Sequence, residues 1–240
     1  MRAHVMRRSI FSRSSLAFLL LITASPSLAA HSIADRVADG PAAAVIRESL
    51  RDFERGEISR DDAVKIEWYA RGKDLAEAAL RADDRSADAH FAYFANWGRI
   101  LQTEGWLKNA FHLPELWREL DRVLELNPDH SDALAAKGGL YLHLPGFLGG
   151  DIDKAEPLLR RAVDLDPEAA GTRLELGECY LLKDRPEAAR DLLLTALRLA
   201  QEQGKERFVR RAEILLADLD GTSLPAERSA SASAPETATR

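Results

Sequence analysis

Metal, nucleophilic or acid–base chemistry in this chain would have to come from its histidines, its cysteine or its carboxylates. Beyond residue 29 the histidines are His31, His90, His112, His130 and His143, and none forms an H-x3-H pair or an H-E-x2-H motif. Helical zinc sites need ligands one turn apart on one face, so no metal site is expected. His112 and Glu115 are three apart, but Pro114 starts a helix between them and they need not share a face. Cys179 is the single cysteine. It excludes an internal disulfide framework and a Cys-cluster zinc site, and between Gly177 and Tyr180 it reads as a packing residue. There is no G-x-S-x-G, P-loop or G-x-G-x2-G motif, and the 39 acidic residues are scattered rather than paired. No catalytic residue, cofactor or enzyme activity is therefore expected.

The elements that would carry a site are helices. Ala and Leu together number 75 of the 240 residues, against 23 for Val, Ile and Thr. Straight-chain and small side chains lose little freedom in a helix, whereas a sandwich or barrel needs many more strand formers. An apolar fraction of 46% is enough for a core. The net charge of −6 provides no basic excess to neutralise phosphates, so nucleic acid is not an expected partner.

The first 29 residues read as a secretory signal peptide. Arg2, Arg7, Arg8 and Arg13 precede a short apolar run over 16–22, Ser25-Pro26 breaks the helix, and Ser27-Leu28-Ala29 offers small residues to a peptidase. The run is too short to span a bilayer. Removal of the four arginines takes the charge from −6 to −10 and leaves about 211 residues. The expectation is an acidic periplasmic or secreted protein with no membrane span after cleavage. Residues 30–40 read as a flexible start, 41–220 as a helical domain, and 221–240, rich in Ser, Ala, Pro and Thr, as a disordered tail.

Internal repeats organise the helical domain. Ala155 and Ala189 are 34 residues apart, as are Ala162 and Ala196. Gly138-x2-Tyr141 recurs 39 residues on as Gly177-x2-Tyr180, and Pro128 and Pro167 share that offset. Ala79, Asp84 and Trp97 each lie 44 residues before Val123, Pro128 and Tyr141. The unit is 34 residues, with ten residues inserted in one copy and five in the next. Leu176-Gly177-x2-Tyr180, Ala189-x3-Leu193 and Ala196 follow the L-G-x2-Y, A-x3-F order, and on these residues the chain resembles a tetratricopeptide repeat protein over roughly 60–203. The copies depart from the ideal: Phe94 and Asp84 replace a small residue and a proline in the first, and His90, Leu134 and Arg173 stand where the motif has Trp. The resemblance implies an all-α, TPR-type solenoid of helical hairpins, about three to four helix pairs plus a capping helix.

Periodicity points to the same helices. Asp151 precedes an apolar stripe of Leu158, Leu159, Ala162, Val163 and Leu165, and Asp184 is placed to cap the helix beginning near Pro186. Upstream, 41–55 and 60–82 read as a helical pair with Gly56 at the turn and Ser59 as cap. Downstream, Phe208, Ala212, Leu215, Leu216 and Leu219 form the apolar stripe of a capping helix.

A solenoid of this kind implies binding of another protein or peptide segment on its concave face, here lined by Asp132, Ala135, Gly139 and Leu142 and by Leu174, Glu178 and Leu181. The Lys and Asn of chaperone-type carboxylate clamps are absent: Ala135, Gly139, Leu174 and Glu178 occupy those positions. Both insertions, over 98–113 and 143–150, fall in the turns between the two helices of consecutive repeats and should be neighbours on one edge. They bring Trp106, Leu107, Phe111 and Leu113 together with Leu144, Phe147 and Leu148. Two readings stay open. The side chains pack on one another to close an enlarged edge, or Trp106, Phe111, Phe147 and Leu148 rim an apolar docking surface or small-ligand pocket. The Pro-Gly…Gly-Gly-Asp loop before Lys154-Ala155 is similar to one in secreted TPR proteins, including relatives of the T component of tripartite (TRAP-type) transporters. That likeness implies, as an alternative to a scaffold, an accessory to periplasmic uptake of small apolar ligands.

Overall fold

The computed structural model describes residues 33–40 and 42–221. The expected signal peptide, His31 and the tail beyond Gly221 lie outside the described residues. Among the described residues ten α-helices follow in order: α1 (Ala43–Ile58), α2 (Asp62–Ala82), α3 (Ala87–Glu104), α4 (Trp106–Asn109), α5 (Leu113–Leu126), α6 (Ser131–His143), α7 (Ile152–Leu165), α8 (Ala170–Leu182), α9 (Pro186–Glu202) and α10 (Glu206–Leu219). No strand occurs among the described residues. The helices pair as antiparallel hairpins, α1/α2, α3/α5, α6/α7 and α8/α9, with α10 laid on the last pair.

The repeat landmarks explain why the hairpins close. Gly138 and Gly177 stand on the first helices of consecutive pairs, and a Cβ on either would meet Leu159 at 2.7 Å or Leu193 at 2.9 Å. Each of those leucines lies four residues after a fully buried alanine, Ala155 or Ala189, on the facing helix. Glycine, alanine and leucine thus form one interlocking unit, repeated 34 to 39 residues along. Apolar seams continue through the stack. The largest runs from Ile33 through Phe53, Phe91 and Leu120 to Leu144, and smaller ones join α6–α8 and α8–α10.

The boundaries differ from the sequence expectations in instructive places. Residues 33–36 form a turn of 3-10 helix whose Ile33 and Ala34, with Val37, are buried, so part of the expected flexible start packs on α1. Gly56 lies inside α1 rather than at the turn, because it gives room to the Tyr69 ring, which a Cβ would strike. Ser59 closes α1, its hydroxyl donating to the Arg55 carbonyl at 2.8 Å, and Asp61 caps α2 by accepting from Ala63 and Val64. Asp184 does not cap α9; it sits at φ +59°, a left-handed turn residue, and Arg185 takes the cap position without a side-chain bond. Asp151 does cap α7, accepting from the amides of Asp153 and Lys154 at 3.1 and 3.3 Å.

Candidate functional site

The residues expected to line an open concave face are largely enclosed. Asp132, Ala135, Gly139, Leu142 and Leu174 are buried, while Glu178 and Leu181 are half-buried. The cause is the small-residue surface of α6, which lets α8 approach closely: a Cβ on Gly139 would lie 3.2 Å from the Glu175 carboxylate. Asp132 borders a hollow of about 140 Å³ at the other end of α6, with Asp88, Phe91 and His130.

A group of charged side chains is buried in the interior. Glu57, 8% exposed, accepts from the Tyr69 hydroxyl at 2.7 Å and from Arg99, itself 6% exposed, at 2.8 Å. Arg207, 150 residues along the chain, donates to the same carboxylate. Beside them Arg211 donates to Glu178 at 2.6 Å. Burial pushes the Glu57 carboxyl up, but Arg99 and Arg207 outweigh it and hold the group below its ordinary value of 4.5. Burial also pushes His143, next to Glu178 and Arg211, below 6.5 and favours its neutral form. These arginines and Glu57, on α1, α3 and α10, were not singled out by sequence reasoning, because each occurs in a helix whose exposed faces carry the same residue types.

The edge carrying the two insertions is arranged differently. The first insertion begins later than expected: Gly98 is buried within α3, which continues to Glu104. The added chain is α4 and a 3-10 turn over Ala110–His112. The backbone of Trp106 opens α4, and its side chain, like that of Leu107, lies outside the description. His112 stacks edge-on to Trp97 at 5.2 Å and against Phe111 at 4.1 Å. The second insertion is a tight turn over Gly146–Leu148, tied by Leu148 and Gly150 amides donating to the Pro145 carbonyl at 2.8 and 3.1 Å. Gly149 adopts φ +100°, and a Cβ on Gly150 would collide with the Leu144 carbonyl, so the Gly-Gly pair is a backbone requirement.

Trp117 on α5 lies beside the second insertion. Its ring lies 4.7 Å from that of Tyr141, and a Cβ on Gly149 would come to 3.6 Å from it. Leu148, Ala110 and Trp117 each pack on the main apolar seam. Packing therefore accounts for Leu148 and Leu113. It does not account for Phe111 and Phe147, which are 73% and 83% exposed. Trp117 was missed by sequence reasoning, although its position shortly after the first insertion was a usable signal. Two hollows, both bordered by Asp88 and Asn127, lie away from this edge.

A tetratricopeptide repeat family model matches residues 147–206, the stretch holding α7, α8 and α9. The stack is an all-α solenoid of helical hairpins, and over 147–206 it matches the tetratricopeptide repeat. The chain is 28% identical over 149 residues to the CTR9 homolog of Arabidopsis thaliana, covering 62% of this chain but 12% of that protein. A crystal structure of TTC0263, a thermophilic TPR protein of Thermus thermophilus, is 22% identical. It aligns with a TM-score of 0.49 over 72% of this chain and 93% of its own. Among the described residues of the solenoid, no group of three or more His, Cys, Asp and Glu is placed to hold a metal ion. No helix among them is long and apolar enough to cross a membrane.

Proposed function

We propose that this chain is a non-catalytic TPR scaffold, exported to the periplasm or secreted, that holds a protein partner on the edge formed by its two insertions. The observation that carries this reading is the exposure of Phe111 and Phe147, one on each inserted connection, while Leu113 and Leu148 beside them pack on the same apolar seam. Large apolar side chains held in water on a rigid support mark association surfaces, because their burial by a partner costs little ordering entropy. The Gly-Gly turn and the Trp117 contact supply that rigidity. The enclosed state of the α6 and α8 faces shifts the interaction surface away from the concave side, where repeat geometry alone would put it. Export is supported by the amino-terminal sequence, with its arginines, short apolar run and small residues at 27 and 29.

The test is a comparison of wild type with Phe111→Ser/Phe147→Ser as bait in periplasmic extract. The double variant should keep the wild-type melting curve and lose the protein that wild type retains. Equal retention by both baits would remove the edge from consideration.

A further inference from the structure

In a solenoid each hairpin packs on its neighbours, and contacts between the first and last elements are not needed to build the stack. This chain has such a contact: Arg207 in the first turn of α10 donates to Glu57 near the end of α1. Among the described residues no apolar cluster contains residues of both helices. The join between the two ends is ionic.

The charges on either side balance without it. Glu57 keeps Tyr69 and Arg99, both on the amino-terminal hairpins. On the other side Arg211 keeps Glu178, since α8 and α10 belong to the same end of the stack. Arg207 is itself about a third exposed and packs its guanidinium over the Phe208 ring at 4.7 Å. Withdrawing it strands no unpaired charge, which is the usual large cost of breaking a buried ion pair. The stacking seams through α6 to α10 are untouched by that withdrawal.

From this geometry we propose that Glu57 and Arg207 form a clasp: it draws the amino-terminal hairpins onto the capping helix and shuts the concave face, and its release opens the solenoid without unfolding it. The clasp holds two otherwise complete parts in one curvature. This inference is independent of the docking edge, which lies on other residues.

The experiment is a pulsed electron-resonance distance measurement on the full chain between spin labels at Ile58→Cys and Glu213→Cys, both exposed positions on α1 and α10. Burial pushes the Cys179 thiol up to about 11, so it does not compete for the label near neutral pH. In an Arg207→Glu background the label distance should lengthen by more than about 5 Å, one helical turn, and the distribution should broaden. Arg207→Lys should restore the wild-type distance, and far-UV helicity should be unchanged in both. An unchanged distance in folded Arg207→Glu overturns the clasp. So does loss of helicity in both Arg207→Glu and the milder Arg207→Ala, because the contact would then be part of the fold rather than a closure on it.

Discussion

At the scale of single residues, Gly138 and Gly177 set how closely each hairpin shuts. A methyl group at either position forces Leu159 or Leu193 to move within a close-packed seam. Gly138→Ala should therefore cost about 1–3 kcal/mol in urea unfolding, whereas Gly139→Ala, facing the Glu175 carboxylate at 3.2 Å, should cost less. A reversed order would mean that the glycines serve some purpose other than helix approach.

Two titrating groups make opposite contributions. Glu57 is held below 4.5, so its contribution is complete above that pH and is lost as pH falls through the depressed folded value. The hydrogen bond from His90 to Glu119, 2.8 Å long, raises His90 above 6.5, against an opposing effect of burial. Its contribution is complete below 6.5 and is lost as pH rises through the folded value. Melting temperature against pH should show His90→Gln losing stability chiefly on the acid side of neutrality and converging with wild type at higher pH. Parallel curves would contradict the sign given to that pair.

At the scale of helices, most of the pattern could be read in advance because its causes are local. The Gly-x2-Tyr and Ala-x3-Leu spacings are packing rules within one hairpin, and they placed α6 to α9 correctly. Asp151 was legible as a cap for the same reason. Asp151→Ala should lower stability by about 1 kcal/mol in denaturant unfolding, through loss of the bonds to the Asp153 and Lys154 amides. Asp184 was not legible, since aspartate suits both a cap and a left-handed turn residue, and only the backbone path chooses between them. Gly56 was misplaced because a glycine that admits a neighbouring ring looks, in sequence, like one that ends a helix.

At the scale of the whole molecule, the sequence said least. How tightly the stack curls depends on small angles accumulated over four hairpins and on a contact 150 residues apart, and neither leaves a local pattern. The concave residues were identified by their repeat positions, yet close packing between α6, α8 and their neighbours encloses them. The insertion edge was legible as a place where two connections meet, but not which of its apolar side chains face water. Leu148 turns inward against the main seam and Phe147 outward, a division decided by the Gly146–Leu148 turn.

The claim that this edge receives a protein partner is tested most directly by site-specific photo-crosslinking in cells producing the full chain. A photoreactive residue at position 147 is compared with one at Leu194, an exposed leucine on α9. Position 147 should give a discrete protein adduct that is missing from position 194 and is abolished by Phe111→Ser. No adduct from position 147, or the same adduct from both positions, would contradict it.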